Sequence, residues 1–247
     1  MRELGMEQGD DEPFDQYCSR VYIAMSARYE SEPALLEQRR DVLHEVEQGG
    51  NETAVFVKDL AKRIVSAHLA TMQRFDIEYD LLTWESDIIA LGFWRQAFEL
   101  LRESGAIEFV ESGKLAGCWV MPPDSPSDDE DDTKVLVKSD GIATYTAKDI
   151  AYQLWKFGLL GRDFHYAPWD EDSRLVTTAS VKVPDAPAAH FGRARRVINV
   201  IDARQAYPQR IVQRALRRLH HDLEADNSIH LSYEVVALTP AAAAELG

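Results

Sequence analysis

The sequence has 247 residues, 45% of them hydrophobic and 28% charged, with a formal net charge of −15 at pH 7. This composition is typical of a globular protein of one large or two modest domains, and the negative charge argues against a non-specific nucleic-acid binder. Cys18 and Cys118 are too few for a disulfide scaffold or a cysteine metal cluster. No long apolar run and no secretory signal pattern occurs, so we expect a cytoplasmic protein without a membrane partner.

Residues 1–76 are predicted to form a helical segment. Pro33 opens one helix, which the pair Gly49-Gly50 ends, and a second helix is predicted from about Thr53 to Arg74. His68 lies beside the apolar face of this second helix, so we interpret it as a packed or surface histidine and not as a metal ligand.

From residue 77 onward, strand and helix patterns alternate. We predict a strand over 77–84, a helix over 88–104 that ends at Gly105, and a hairpin of short strands at 107–110 and 118–121. The acidic stretch 122–133, PPDSPSDDEDDT, is predicted to be a solvated loop. A metal site there is disfavoured because the stretch lacks the glycine spacing of a calcium loop.

The segment SDGIATYTAKDIAYQLWKF, residues 139–157, predicts a turn followed by a helix that ends at Gly158. A short strand is predicted just before it, at 135–137. Thr146 and Asp149 have the spacing of a capping box, and Tyr145 can pack on Ile150 as a hydrophobic staple. On this segment alone, Tyr145 and Asp149 therefore have a purely local explanation.

The last third predicts a strand, a helix and a second strand. RVINVID, residues 196–202, is a continuous apolar run of the kind found in parallel strands that are buried on both faces. A helix is predicted from 205 to about 224 and a strand over 229–238. This succession predicts a right-handed crossover unit in an open α/β sheet.

Polar residues follow the predicted strands at three places. Glu85, Tyr145 and Gln205 are expected at the carboxyl ends of strands, where ligands bind in open α/β sheets.

Residues 190–221 are more basic than the rest of the chain. Two interpretations stay open, the solvated face of one helix or a contact with a polyanion. The arginines concerned are Arg193, Arg195, Arg196, Arg204, Arg210, Arg214, Arg217 and Arg218.

Four phrases occur in order over most of residues 77–205: YDLLTWESDI, LLRESGAIEFVESGKLAGCWVM, VLVKSDGIATYTAKDIAYQLWKFG and FGRARRVINVIDARQ. Together they resemble the arginyl-tRNA synthetase family of class I aminoacyl-tRNA ligases, and YxxKD after SDG is the most specific part. The resemblance implies an α/β fold, namely the second half of a class I Rossmann-type nucleotide-binding fold over 77–247 with a helical insertion over 1–76. It also implies an internal fragment of the catalytic region.

The resemblance implies a substrate-binding site and assigns no catalytic or metal-binding residue. Glu85 and Asp149 would face the guanidinium of bound arginine, Tyr145 would flank it, and Gln205 would help to hold the amino acid. These residue types suit the ligand, because a guanidinium is planar, charged and forked, and pairs with carboxylates while an aromatic face covers its plane.

The implied activity is ATP-dependent activation of L-arginine and its transfer to arginine tRNA. Mg²⁺ is expected for the full-length enzyme. Contacts with the tRNA are expected mainly through parts outside this chain.

The chain departs from the family pattern in its phosphate-binding motifs. The His-x-Gly-His and Lys-Met-Ser-Lys-Ser motifs are both absent, and HFGR at 190–193 imitates the first without its second histidine. Ala206-Tyr207-Pro208 follows Gln205 where the family commonly has a histidine, which puts a ribose or ATP contact there in doubt. We therefore expect this stretch alone to be inactive and to bind arginine at most weakly.

Two other hypotheses remain. One is a stand-alone arginine-binding or tRNA-associated module without ligase activity. The other is a helical interaction protein on an α/β scaffold that binds no ligand.

Overall fold

The computed structural model describes residues 4–124, 133–170, 174–184, 186, 190–234, 237 and 239–246. The chain divides into two compact units, Met1–Asp80 and Leu81–Gly247. Residues 125–132 of the predicted acidic loop and parts of the predicted strand 229–238 lie outside the described residues. Among the helices described, none combines the length and the apolar character needed to span a membrane.

The first unit contains three helices, α1 (Phe14–Ser31), α2 (Pro33–Gln48) and α3 (Glu52–Gln73). The bounds predicted for α2 and α3 are confirmed within a residue or two: Pro33 is the first residue of α2, and Asn51 caps α3 by accepting a hydrogen bond from the Ala54 amide at 2.8 Å. Both α1 and α2 pack on α3. The side chain of His68 is 58% exposed, as expected for a surface histidine.

The second unit alternates short strands and helices. In chain order these are β1 (Leu81–Leu82), α4 (Glu85–Ala90), α5 (Phe93–Glu103), β2 (Glu108–Phe109), β3 (Trp119–Met121), β4 (Lys134–Val137), α6 (Tyr145–Lys156), β5 (His165–Pro168), β6 (Val176–Ala179), β7 (Val197–Asp202), a 3-10 turn (Ala203–Gln205), α7 (Ala206–Arg218), α8 (Asp222–Asp226), β8 (Ser228–Tyr233) and α9 (Pro240–Leu246).

The described strands pair in three small sheets, where the sequence predicted one open sheet. β1 is parallel to β6, which is antiparallel to β5; β2, β3 and β4 form an antiparallel sheet that includes the predicted hairpin; β7 and β8 are parallel. β1 is only two residues long, and it pairs with β6, a strand that the sequence pattern did not predict. β1 and β7 therefore lie in different sheets.

Two predicted helices are interrupted at residues with left-handed backbone. The predicted helix 88–104 is divided into α4 and α5 at Gly92, where φ is 70°. The predicted helix 205–224 is divided into α7 and α8 near His220, where φ is 63°. Both breaks follow from backbone conformations that an α-helix cannot contain.

Helix α6 is the centre of the core. It packs against α4, α5, α7 and β4, and Ala147, Ile150, Ala151 and Leu154 on it are almost fully buried. Phe93 and Leu101 of α5 and Ile211 and Leu216 of α7 belong to the same apolar cluster. The apolar residues of α6 recur at helical spacing, so one helix contributes a wide buried face.

The parallel pairing of β7 with β8 is confirmed, but the prediction that this run is buried on both faces is wrong for the described part of the chain. Val197 and Asn199 are buried, whereas Ile198 is 55% exposed and Val200 is 62% exposed. Asn199 contacts side chains of α6 and α7, which shows that these helices cover its face. No described element of the unit covers the opposite face, where Ile198 and Val200 lie.

We expect Leu154→Ala to lower the free energy of unfolding by about 2–5 kcal/mol, because the truncation leaves a cavity in the centre of the core. The matched substitution Leu223→Ala removes a leucine that is 73% exposed and should cost less than about 0.5 kcal/mol. Urea unfolding followed by circular dichroism measures both. Equal losses for the two variants would contradict the central place of α6.

Candidate functional site

Three of the predicted site residues lie within the first two turns of a helix. Glu85 is the first residue of α4, directly after β1, and Tyr145 is the first residue of α6. Asp149 lies one turn further along α6. Gln205 is exposed and ends the 3-10 turn that follows β7.

The start of α6 is fixed by strand β4 and not by a capping box. Thr144 is the N-cap residue; its backbone N–H donates to the Leu136 carbonyl at 2.8 Å and its hydroxyl donates to the Val135 carbonyl at 3.2 Å. Thr146 already belongs to the helix and is fully buried, and its hydroxyl has no hydrogen-bond partner among the described residues. The predicted Thr146–Asp149 capping box is therefore wrong, because the N-cap is Thr144, two residues before Thr146. The carboxylate of Asp149 is not used to cap the helix.

The charge state of Asp149 is set by its surroundings. Partial burial raises the pKa of Asp149 above the ordinary aspartate value, and the negative charge of Glu85 raises it further. Lys156 and then Lys148 oppose this rise. Lys148, the neighbour of Asp149 on α6, pairs with Glu85 at the start of α4, so the two carboxylates belong to one group of charges.

Lys148 forms an ion pair that the sequence analysis did not identify. Its Nζ lies 2.7 Å from Oε1 of Glu85, whose side chain is 62% exposed. Lys148 stands next to Asp149 in the YxxKD phrase, so the sequence showed a lysine beside a predicted site carboxylate. It did not indicate that the partner would be Glu85, 63 positions away. A cationic ligand at Glu85 would share or replace the contact that Lys148 makes.

Tyr145 is half exposed and does not act as a staple buried on Ile150. The Nζ of Lys134 lies 5.2 Å from the centre of the Tyr145 ring and 5.3 Å from that of Tyr207 in the first turn of α7. The starts of α6 and α7 are thus brought together around one lysine. Gln205 directly precedes α7, and among the described residues no hydrogen bond joins its side chain to Glu85, Tyr145 or Asp149.

The segment HFGR at 190–193 packs against the end of α6. The Ala194 amide donates to the Lys156 carbonyl at 2.8 Å, and a Cβ on Gly192 would lie 2.9 Å from the Trp155 carbonyl oxygen. The ring centre of Phe191 lies 5.5 Å from that of Tyr166 on β5. The glycine is therefore explained by close packing on α6. This supports the interpretation that the likeness to a phosphate-binding motif is fortuitous.

Several arginines of the basic segment are engaged within the chain. Arg214 and Arg218 both pair with Asp124, and Arg218 also donates to the carbonyl oxygens of Ala106, Pro122 and Pro123 at 2.9–3.0 Å. These two side chains hold residues 122–124, the beginning of the acidic stretch.

Two further arginines of the segment have carboxylate partners, Asp202 for Arg204 and Asp226 for Arg217. The structure thus supports intramolecular pairing over a polyanion contact for these four arginines.

The described residues contain no group of three or more His, Cys, Asp or Glu side chains arranged to hold a metal ion. The expectation that Mg²⁺ belongs to the full-length enzyme therefore stays a prediction.

No protein-family model matches the chain. Curated arginine–tRNA ligases from Thermococcus sibiricus, Thermococcus kodakarensis and Deinococcus radiodurans are 35%, 39% and 36% identical to it, over 237, 245 and 228 residues. The alignments cover 96%, 96% and 91% of this chain but 36% of each relative. The chain therefore spans about a third of the length of the curated relatives it matches.

Comparison with solved structures also finds arginyl-tRNA synthetases. It is similar to Thermus thermophilus arginyl-tRNA synthetase with a TM-score of 0.75 and 34% identity, over 94% of this chain and 38% of that one. A putative arginyl-tRNA synthetase from Campylobacter jejuni matches with a TM-score of 0.50 at 15% identity, which shows a likeness of fold alone. The resemblance that the sequence phrases predicted is confirmed, and the chain has a mixed α/β structure like that of the Thermus protein.

We expect Arg218→Ala to lower the free energy of unfolding by about 1–3 kcal/mol, because three partly buried carbonyl oxygens lose a charged donor. Arg217→Ala is the control: it breaks an exposed pair with Asp226 and should cost less than about 1 kcal/mol. Chemical unfolding measures both. Equal small losses would show that the anchoring of residues 122–124 contributes little.

We expect Asp149→Asn to stabilise the protein at neutral pH. Because the folded state raises the pKa of Asp149, it holds the proton more tightly than the unfolded chain, and stability falls as pH rises from the unfolded pKa through the folded pKa. Asparagine cannot ionise, so the variant should melt at a higher temperature than the wild type at neutral pH and near the wild-type temperature in acid.

Glu103→Gln, at an exposed position on α5, is the control for removing a carboxylate and should leave the melting temperature nearly unchanged at both pH values. A neutral-pH melting temperature of Asp149→Asn at or below that of the wild type would contradict the assigned electrostatics.

Proposed function

We propose that this chain, which resembles arginyl-tRNA synthetases over more than nine-tenths of its length, is part of the catalytic region of an arginine–tRNA ligase. Such a ligase would use ATP to activate L-arginine and would transfer the arginyl group to its tRNA in the cytoplasm. The observation that carries the proposal is a pair of carboxylates, Glu85 at the start of α4 and Asp149 near the start of α6, within a chain of this similarity.

The proposed architecture is the second half of a class I Rossmann-type nucleotide-binding fold over 77–247, with a helical insertion over 1–76 and the acidic loop 122–133. The parallel pair β7 and β8, joined through α7, supports it. The exposed apolar face of that pair also fits a larger fold, because parallel sheets are normally covered on both faces.

The proposed arginine site uses the residues around the first turns of α4, α6 and α7. Glu85 and Asp149 bind the guanidinium through charge-assisted hydrogen bonds, the half-exposed ring of Tyr145 covers its plane, and Gln205 holds the amino-acid end. Free lysine as a ligand has one ammonium group, which cannot make the paired hydrogen bonds of a planar, forked guanidinium. Citrulline, which is neutral, would bring no positive charge to the partly buried carboxylate of Asp149, so we expect it to bind more weakly than arginine.

In the proposed reaction the arginine carboxylate attacks the α-phosphorus of ATP, giving arginyl-adenylate and releasing pyrophosphate. A hydroxyl of the terminal ribose of the tRNA then attacks the arginyl carbonyl, and AMP leaves. The part that this chain would play is positioning: the two carboxylates orient arginine before the chemical step, and neither takes a proton from it.

ATP, Mg²⁺ and tRNA would depend largely on residues beyond those of this chain. Both phosphate-neutralising motifs of the family are missing from the sequence, and the described residues hold no metal-binding cluster. The missing motifs are also the observation that favours the second candidate, a stand-alone arginine-binding or tRNA-associated module. That module would share the arginine site and lack the ligase reaction.

The test of the arginine site is a titration of the isotopically labelled chain with arginine and with citrulline, followed by NMR. We expect arginine to shift the amide signals of Tyr145 and Asp149 at millimolar concentration and citrulline to bind at least tenfold more weakly, which corresponds to about 1.4 kcal/mol. Asp149→Asn should abolish the preference while keeping the fold, and Glu103→Gln should retain it.

Equal binding of the two amino acids, or shifts remote from α6, would refute the carboxylate assignment. Arginylation of tRNA by the product of the complete reading frame then separates the two candidates: activity that Asp149→Asn abolishes supports the ligase, and arginine binding without arginylation supports the module.

A further inference from the structure

The short segment that carries Glu85 is held in place by contacts from other parts of the second unit. β1 has two residues and α4 has six, so neither element is long enough to fix Glu85 by its own hydrogen bonds. The N-cap residue of α4 is Trp84, whose indole has no acceptor with which to cap a helix. The groups that hold this segment therefore come from elsewhere, namely from β6 and α6.

Thr178 of β6 replaces the missing cap of α4. Its Oγ1 accepts a hydrogen bond from the Trp84 amide at 3.0 Å and donates to Oδ2 of Asp87, the third residue of α4, at 2.7 Å. Thr178 and Asp87 are only 2% and 1% exposed, so losing this hydroxyl would leave buried polar groups with fewer partners. One hydroxyl thus joins the residue before Glu85 to the residue two positions after it.

Tyr152 connects the same segment to α6. Its hydroxyl lies 2.8 Å from Oγ1 of Thr83, two positions before Glu85. The Tyr152 ring is itself fixed by stacking on Trp155, with ring centres 5.4 Å apart and an angle of 5° between the planes. Tyr152 follows Asp149 by three positions, so the two residues lie on the same side of α6. One side chain therefore links the helix of Asp149 to the segment of Glu85.

We propose that Tyr152 and Thr178 are positioning residues of the arginine site, which fix the start of α4, and with it Glu85, relative to the helix that carries Asp149. The inference rests on the proposed function for its purpose. Paired hydrogen bonds to a guanidinium need carboxylates in a fixed geometry. The Glu85 side chain is 62% exposed and is paired with Lys148, so its position depends on its backbone more than on its own packing.

The first test is amide hydrogen exchange in this chain, followed by NMR, which does not require arginine. In Tyr152→Phe and in Thr178→Val we expect the Leu91 amide, which donates to the Asp87 carbonyl in α4, to exchange about tenfold faster, because α4 opens more readily. The Leu219 amide at the end of α7 is the reference and should change much less.

Ser228→Ala is the matched control, because it removes a buried hydroxyl that contacts α6 from another side. Its Oγ accepts a hydrogen bond from Nε2 of Gln153 on α6 at 2.9 Å. This variant should lower the melting temperature without a selective change in α4. If Tyr152→Phe fails to fold, Thr83→Val removes the same hydrogen bond from its other end.

Exchange that stays at the wild-type rate in α4, or that rises equally in α4 and α7, would overturn the proposal. The two hydroxyls would then stabilise the unit as a whole without fixing the start of α4.

Titration with arginine separates this inference from the proposed function. If arginine binds the wild-type chain, Tyr152→Phe should weaken binding several-fold and should have little further effect in a Glu85→Gln background, because it acts through Glu85. Undiminished binding by Tyr152→Phe would refute the positioning role and leave the proposed site intact. If arginine does not bind while exchange in α4 rises selectively, the anchoring of α4 stands and the function assigned to Glu85 fails.

Discussion

The burial of α6 is the constraint on which the rest of the second unit depends. Four other elements pack on this helix, and its apolar residues from Ala147 to Leu154 have almost no exposed surface. A helix enclosed in this way cannot rotate without losing its packing. Tyr145 and Asp149, near the N-terminal end of α6, are consequently held at fixed positions. Strand β4 adds to this by receiving two hydrogen bonds from Thr144.

The charged groups around that end of the helix form an arrangement that opposes stability. Two carboxylates lie near each other, one of them partly buried, and two lysines compensate. A fold selected for stability alone would replace such a group with an apolar or neutral side chain. Groups with shifted pKa values cluster at functional sites, and Asp149 near the start of a rigid helix is such a group. This supports the proposed use of the cluster for a cationic ligand.

The exposed face of β7 and β8 is apolar and bears on the size of the complete fold. Ile198 pairs with Ile229 and Val200 with Leu231, so four apolar side chains share one face of a parallel pair. Parallel strands of this composition are ordinarily covered on both faces, and the relatives are nearly three times as long as this chain. The two facts support the proposal that this chain is one part of a larger catalytic region.

Much of the fold was predictable from local patterns, and the residues of the candidate site were chosen from the family resemblance. Helical periodicity predicted α2, α3 and α6, and the apolar run at 196–202 predicted β7. The ordered phrases identified the family resemblance. β5 and β6 were missed because their signal is weak: HYAP and VTTA are short and contain few residues of strong apolar character. The breaks at Gly92 and His220 were missed because helical spacing continues across them.

The sequence by itself determined which residues are apolar at helical or strand spacing, and therefore where most of the helices and several of the strands form and which faces the helices bury. Tertiary structure alone decided that α6 starts at Tyr145, that Lys148 pairs with Glu85, and that Lys156 reaches Asn199, 43 positions further along the chain. The physical reason is the distance along the chain over which each kind of interaction acts. Periodicity and capping act between neighbours along the chain, whereas hydrogen bonds and charge interactions depend on distances that exist only after distant segments have packed together.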